Sequence, residues 1–484
     1  MNFWHHQTEC IQRAEPLDYF GLFFEPGCGK TATTIKILED KFTKERTILK
    51  TLIICPLIVV EQWASEIAKF SSIPNVRVMT LTGSGTQRLS DFQNKNFDNL
   101  IVITNYEALY SEKLYMELCK WKPEALVIDE SQRIKSHNSK RTKCIVNIAR
   151  LAKYRYILSG TPVLNSPLDL FSQMLALDHG KRLGTNYYRF LYNYFFDLNT
   201  HKKRDAGYFP LWKPRPDTNE NLNRIISDCT MRVRKEEVLD LPPFIKKDIH
   251  VELSNEQRKL YNELKRDFVA YIDDKACVAE LAITKALRLQ QIASGFCVFD
   301  DDTIKEFDKT PRVSALIELL EEITPAHKVI VWAVFKNNYK QIRKACQEVG
   351  VSFAELHGEE KDKLGNIEKF KTDPKCRVLI GHPGSGGIGV NLTNASYSIF
   401  YSRNFSLEFD IQAEARNYRG GSLEAGHKNI TRIDLVAKDT IDDTISKAIQ
   451  FKKVQSEKIV DGFGFSNNDL LDLFKEELRN GARS

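Results

Sequence analysis

Residues 25–31 read Glu-Pro-Gly-Cys-Gly-Lys-Thr. Gly27 and Gly29 let a backbone approach phosphate oxygens with its amides turned inward, Lys30 can reach the β and γ phosphates, and the Thr31 hydroxyl can hold magnesium. Cys28 between the glycines reads as a small residue rather than a redox group. Phe24 stands where the full eight-residue phosphate-loop pattern would have its first glycine. The shorter match gains its weight from its place, after an apolar run and before a helical stretch over 32–42. About a hundred residues later, Asp129 and Glu130 close another apolar run. One carboxylate there can share the magnesium and the other can polarise an attacking water. Far downstream, Gln412, Arg416 and Arg419 are spaced i, i+4, i+7, so a continuous helix would carry all three on one face. Guanidiniums offered to a phosphoryl transition state are worth about 10³–10⁵ in rate. Taken singly, the acidic pair reads as solvated and the arginines as a basic surface. Taken together, they predict ATP and Mg2+ as cofactors, with Lys30, Glu130, Arg416 and Arg419 as catalytic groups and Thr31 and Asp129 as metal ligands.

Such groups need strand ends to hold them. Over the first 180 residues, apolar runs at Tyr19–Phe24, Thr51–Cys55, 100–104, 125–128 and Tyr154–Leu158 alternate with charged, helical segments. Runs of that length imply a parallel sheet covered on both faces, whose chemistry gathers at the carboxyl ends of its strands. A second alternating series has expected strands at 329–334, Ser352–Leu356, 377–380, 398–401 and 431–436, with helices over 336–348 and 407–418. The fold class expected is therefore α/β: two tandem parallel-sheet lobes with helical insertions between them. The expected division is a nucleotide-binding lobe over 1–235, a linker and helical insertion over 236–310, a second lobe over 311–462 and a tail over 463–484. The first lobe carries an aromatic and basic insertion at about 181–225. A helical stretch over 254–292 has a natural N-cap in Ser254.

Bulk composition narrows the classes. With 484 residues, 42% hydrophobic and 28% charged, the chain suits two or three globular domains. Its net charge of +6 permits a polyanionic partner without requiring one. The start, Met-Asn-Phe-Trp-His-His-Gln, lacks the pattern of a secretory signal, and no apolar run approaches the roughly 20 residues that span a bilayer. Ten cysteines without a Cys-x-x-Cys pair read as reduced thiols. The expectation is a cytoplasmic monomer without a membrane partner, in the host cytoplasm if phage-encoded.

In order along the chain, these motifs resemble those of the superfamily-two helicases, and among them the Swi/Snf-type DNA translocases. Trp4-His5-His6-Gln7 resembles the adenine-recognising glutamine motif, with Gln7 the matching residue. Ile54-Cys55-Pro56-Leu57 with Trp63 and Glu66, Ile103-Thr104-Asn105-Tyr106-Glu107, Asp129-Glu130-Ser131-Gln132-Arg133-Ile134-Lys135, and Leu158-Ser159-Gly160-Thr161-Pro162 with Asn165 follow in the family's order. His357-Gly358, then 386–392, then Gln412 to Arg419 continue it, and Met231 to Lys235 followed by Leu241-Pro242-Pro243 resembles the segment passing between lobes. The likeness spans about 4–460 and is that of a compact, phage-like member. Ser131-Gln132 replaces the family's Ala-His, Gly420-Gly421-Ser422 replaces Ile-Gly-Gln, and 400–406 lacks the usual acidic and Trp-Asn-Pro residues. The resemblance implies two RecA-like lobes, with Gln7, Gly27, Cys28, Gly29, Lys30, Thr31, Asp129 and Gln412 around the nucleotide.

The resemblance also implies a motor that tracks along duplex or branched DNA through sequence-independent phosphate contacts. The candidates are Thr104, Asn105, Lys135, Ser136, Ser385, Gly386, Gly387, Asn391 and Thr393. The aromatic and basic segment 187–216 could be a wedge that stacks bases or splits a junction; most aromatics of 187–196 read as core, whereas the basic stretch Lys202, Lys203, Arg204, Trp212, Lys213 and Arg215 leaves a DNA role open. Without any extra reader module, branch migration or fork remodelling fits better than nucleosome recognition. An RNA-dependent helicase and a nucleotide-gated DNA clamp without motor activity are the alternatives.

Overall fold

Strand alternation builds two cores at once in the first half of the chain. In β1 (Tyr19–Phe24), Phe23 joins one buried cluster while Phe20, Leu22 and Phe24 join the other. β2 (Thr51–Cys55) repeats this, with Leu52 and Ile54 on the first side and Ile53 and Cys55 on the second. Helices cover both faces. His5–Ala14, Lys30–Glu45 and Val60–Phe70 pack on one side, and Glu112–Trp121, Lys140–Ala149 and Asp169–Asp178 on the other.

The computed structural model describes residues 3–73, 76–94, 100–160, 162–163, 166–198, 210, 212–273, 279–299, 301–307, 310–384 and 390–461. Contacts divide the chain into two compact units, with the main boundary between Leu239 and Asp240. The first unit holds β1, β2, β3 (Val78–Leu81), β4 (Ile101–Asn105), β5 (Ala125–Asp129), β6 (Tyr154–Leu158) and β9 (Thr230–Val233) in the order β3-β4-β2-β5-β6-β1-β9. Every pairing is parallel. Two edge strands, β3 and β9, were not anticipated; β9 is the segment that resembled an inter-lobe crossing. A short antiparallel hairpin, β7 (Phe195–Asp197) with β8 (Trp212–Pro214), stands between the helices Tyr187–Tyr194 and Thr218–Ile226.

The second unit, from Asp240 on, holds a parallel six-stranded sheet whose spatial order is Phe244–Val251, Ile430–Ala437, Tyr397–Phe400, Val329–Trp332, Cys376–Gly381, Ser352–Leu356. Its strands are β10 (Phe244–Val251), β13 (Val329–Trp332), β14 (Ser352–Leu356), β15 (Cys376–Gly381), β16 (Tyr397–Phe400) and β17 (Ile430–Ala437), with a small hairpin of β11 (Phe296–Val298) and β12 (Ile304–Glu306) beside them. The α/β class with two parallel sheets is thus as the alternating runs required. Ser254 caps its helix as expected: its hydroxyl accepts from the Gln257 amide at 3.3 Å and the Gln257 carbonyl oxygen returns a bond to Ser254 N at 3.2 Å. Among the described residues, no helix is long and apolar enough to cross a membrane.

One expected element ends early. The helix begins at Leu407 but stops at Glu414, where Ala415 takes φ −71°, ψ 0°. Arg416 and Arg419 therefore do not share a helical face with Gln412. Tertiary bonds take the carbonyls that a helix would use: Leu392 N donates to Arg416 O at 2.9 Å, and the Ser422 hydroxyl donates to Asn417 O at 2.7 Å.

Candidate active site

The loop after β1 needs its glycines for conformation and for space. Gly27 and Gly29 have φ of +94° and +79°, where side chains are strained. A Cβ on Gly29 would lie 2.3 Å from Gln7 Nε2. The first helix clamps this loop through adjacent residues. His6 Nε2 lies 3.0 Å from Cys28 O, and Gln7 donates from Nε2 to Gly29 O at 3.2 Å while accepting from Trp4 N at 2.9 Å. Gln7, the expected adenine reader, therefore spends both ends of its amide on the protein and lies against the phosphate loop. Cys28 is fully buried, as a small filler would be. Lys30 and Thr31 open the helix Lys30–Glu45, and Lys30 Nζ donates to Phe24 O at 2.7 Å across the loop.

Asp129 ends β5 at the same edge of the sheet. Burial, and then the neighbouring Glu130 charge, push its carboxyl up to about 6, while the Trp63 indole N–H and the Lys30 ammonium oppose the shift. Trp63 Nε1 donates to Asp129 Oδ2 at 2.9 Å. Lys30 and Asp129 are thus within electrostatic reach, joining the loop to the acidic pair. Glu130 has φ 55°, ψ 54°, a left-handed backbone in a non-glycine residue. Tyr106 supports it: its buried hydroxyl donates to Asp129 O at 2.5 Å and reaches Glu130 O at 3.2 Å.

Gln132 fills the position where the related motif has histidine. Its Nε2 donates to Glu130 Oε2 at 2.7 Å, and its Oε1 accepts from the Ser159 hydroxyl at 2.7 Å. Ser131 binds Gln173 Oε1 at 2.7 Å, and Gln173 Nε2 continues to Pro162 O at 2.6 Å. A chain of hydrogen bonds through uncharged Gln and Ser side chains therefore runs from the acidic pair to the loop after β6. Thr161 and Asn165 of that loop lie outside the described residues.

The oxygen-only pair of the half-buried Thr31 hydroxyl and the Asp129 carboxylate suits a hard cation such as Mg2+. The positive-φ glycines and the Lys30 ammonium suit the phosphates it would accompany.

Not every nucleic-acid candidate is presented to solvent. Thr104 is fully buried and its hydroxyl donates to Leu81 O at 3.2 Å, which corrects its expected role as a phosphate contact. The reason is that β4 lies in a sheet covered on both faces, so that all five of its residues are buried. Asn105 is buried also, with Nδ2 on Glu107 Oε2 at 2.7 Å. Lys135 is half-buried and Ser136 exposed, just beyond the short helical turn Ser131–Ile134. In the second unit Asn391 is exposed and its Oδ1 accepts from Thr393 N at 2.9 Å. Ser385, Gly386 and Gly387 lie outside the described residues, as do Lys202, Lys203 and Arg204.

The arginine segment is anchored by buried charge. Asp410 and Glu414, on the helix Leu407–Glu414, meet Arg432 of β17 at 2.8 and 3.4 Å. Arg432 also binds Asp434 at 2.7 Å, and Arg403 joins Asp410 at 3.0 Å and Asp434 at 2.9 Å. Arg403 stands in the stretch that departs from the related pattern, and its guanidinium is absorbed by this network. Gln412 Nε2 donates to Glu408 Oε1 at 3.2 Å one turn back.

Sequence reasoning passed over His6, Tyr106 as a clamp, and this buried cluster. His6 had a signal in the series His6, Cys10, Ala14, which forms the buried stripe of the first helix.

A sequence model of the SNF2-related domain matches residues 21–295, and one of the helicase conserved C-terminal domain matches 311–421. The chain is 26% identical to protein p41 of Acyrthosiphon pisum secondary endosymbiont phage 1, over 88% of this chain and 91% of that protein. It is 28% identical to an uncharacterized ATP-dependent helicase of Mycoplasma genitalium, covering 98% of this chain but 44% of the relative. It thus spans less than half of that longer protein. The solved SWI2/SNF2 ATPase core of Sulfolobus solfataricus in complex with dsDNA aligns over 99% of this chain and 96% of its own, with 25% identity and a TM-score of 0.44. With more than half of its residues matched by the first domain and the second following in order, the chain belongs to the SNF2-related family as an ATP-dependent helicase/ATPase core.

Proposed function

We propose that the protein is a DNA-dependent ATPase that moves along duplex or branched DNA, in branch migration or fork remodelling. The observation that carries this reading is the polar chain Glu130, Gln132 and Ser159 at the same sheet edge as the phosphate-type loop, whose Lys30 charge acts on Asp129. ATP bound there supplies the phosphoanhydride, and Mg2+ neutralises its oxygens. Gly27 to Gly29 line the phosphates, Lys30 neutralises charge, Thr31 and Asp129 hold the cation, and Glu130 orients a water and takes its proton. Gln7 and Gln412 belong to the nucleotide's surroundings, and Arg416 and Arg419 supply guanidiniums to the γ-phosphate.

Lys135, Ser136, Asn391, Thr393 and the 385–387 backbone are the proposed grip on phosphates, which is independent of sequence and therefore suits stepping. A monomer acting in the cytoplasm accords with this reading. The test is ATP turnover by the full chain with single-stranded DNA, duplex, four-way junction or RNA. Strong stimulation by duplex or junction, abolished in Lys30→Ala and Glu130→Gln, is the expected outcome. Equal turnover with and without DNA contradicts the reading, and stimulation by RNA alone replaces it with an RNA-dependent helicase. Nucleotide-dependent DNA affinity without phosphate release would make the protein a clamp.

A further inference from the structure

The helix Tyr187–Tyr194 splits its aromatics between two jobs. Phe190 and Leu191 are buried in the first unit's core, and Phe171 meets the Phe190 ring at 5.2 Å. Tyr188 and Tyr192, one turn apart, are each 60% exposed. Large aromatic side chains this open, side by side on one helical face, offer solvent two adjacent rings. The Trp212 ring on β8 meets Tyr192 edge-on, with centroids 5.2 Å apart and planes at 81°. Arg215 Nη2 donates to Tyr192 O at 3.2 Å, keeping a guanidinium beside the same turn.

Two further observations point to the occupant. The segment 187–216 carries six basic residues (Arg189, Lys202, Lys203, Arg204, Lys213, Arg215) against two acidic ones, Asp197 and Asp205. This composition favours a polyanion over an apolar protein surface. The strip also adjoins the loop that carries Lys135 and Ser136. His137 stacks on Tyr187 with ring centroids 3.5 Å apart and planes 12° from parallel, and meets Tyr188 edge-on at 6.2 Å. A phosphate-gripping loop thus runs directly into an exposed aromatic face. Base pairs in an intact duplex hide their faces from such rings, whereas unpaired bases present them.

We propose that Tyr188 and Tyr192, braced by Trp212 and flanked by Arg189 and Arg215, form a stacking surface for unpaired nucleobases, making branched DNA the preferred substrate. This rests on the DNA-dependent reading above and names the DNA structure it acts on. The bases stack on the tyrosine rings, and the guanidiniums meet the adjoining phosphates.

The test measures binding of the full chain, by fluorescence anisotropy, to a blunt duplex and to a fork of equal duplex length bearing unpaired arms. Wild type and the Tyr188→Ala/Tyr192→Ala double variant are compared, with Tyr192→Trp as the conservative control and duplex-stimulated ATP turnover measured in parallel. The expected result is a fork preference in wild type that falls at least about tenfold in the double variant, is kept by Tyr192→Trp, and leaves duplex-stimulated turnover within about twofold. A double variant that binds the fork as wild type does, with duplex stimulation intact, overturns this inference and leaves the motor reading standing. Wild-type protein indifferent to every DNA overturns both.

Discussion

Glu130 shows how much of the site is held by residues that touch no substrate. Its left-handed backbone costs roughly 1–3 kcal/mol, and persists because neighbours over-determine it. Tyr106 bridges the Asp129 and Glu130 carbonyls from beneath. Tyr106→Phe removes that donor and is expected to destabilise the first unit by about 1–3 kcal/mol. It should also lower kcat more than it changes KM for ATP, which denaturant unfolding and steady-state kinetics together would reveal. Asp129 makes a pH prediction. Its folded value near 6 lies above the ordinary 3.8, so between those values the folded protein binds a proton that the unfolded chain does not. Its protonation strengthens folding as pH falls but removes the carboxylate proposed to hold Mg2+. Turnover should therefore decline below about pH 6. In Trp63→Phe, which loses a donor favouring the charged form, that decline should begin at higher pH, read from kcat against pH at fixed Mg2+. Lys30, Asp129 and Glu130 were legible because strand-end chemistry leaves short, ordered motifs. Tyr106 was quoted within such a motif, yet its bond to two carbonyls depends on a fold that spacing does not disclose. Gln132 was visible as a departure, but only the structure shows its neutral amide linking Glu130 to Ser159.

At the scale of elements, central strands were easy to read and edges were not. β2, β5 and β6 are continuous apolar runs buried on both faces. β10 contains Lys246, Lys247 and Asp248 on a largely solvated edge, so its pattern reads as a linker. β9 is four residues long and takes its strand character from β1 beside it. The helix at Leu407 was legible in its start but not in its end, because the bonds that draw Arg416 O and Asn417 O away come from residues distant in sequence or beyond the turn. The cluster holding this helix gives a stability prediction. Burial would lift Asp410 and Asp434, but Arg432 and Arg403 outweigh it and hold both carboxyls below their usual range. Arg432→Ala leaves these acids buried without their main partner, and should cost about 3–5 kcal/mol in denaturant unfolding. Glu355 behaves similarly: burial pulls it up, yet hydrogen bonds from His357 and Arg343 bring it to about 2. Groups depressed on folding contribute stability above their unfolded value near 4 and lose it as pH falls towards the folded one. The second unit should accordingly lose stability between about pH 4 and 2, as followed by circular dichroism, and Glu355→Gln should flatten that loss.

For the whole molecule, the proposed chemistry is carried on two separate parallel sheets. The first unit carries the loop of Gly27 to Lys30 and the Asp129–Glu130 pair; the second carries Gln412, Arg416 and Arg419 on and just after a helix pinned by buried charge. Motif order was legible along both halves of the chain, and the aromatic and basic character of 187–216 was legible too, whereas which of its rings stand open, Tyr188 and Tyr192, came only from exposure and ring geometry. Lys30→Ala should abolish turnover while leaving the unfolding transition nearly unchanged, since Lys30 contributes a single backbone bond to the fold. The most direct test of the central claim is the rate of phosphate release by the full chain at saturating ATP, with and without duplex DNA, in wild type and Arg416→Ala. Strong stimulation of wild type by duplex is expected, with a fall of about 10³-fold or more in the variant while nucleotide stays bound. Turnover indifferent to duplex, or a variant as fast as wild type, would contradict it.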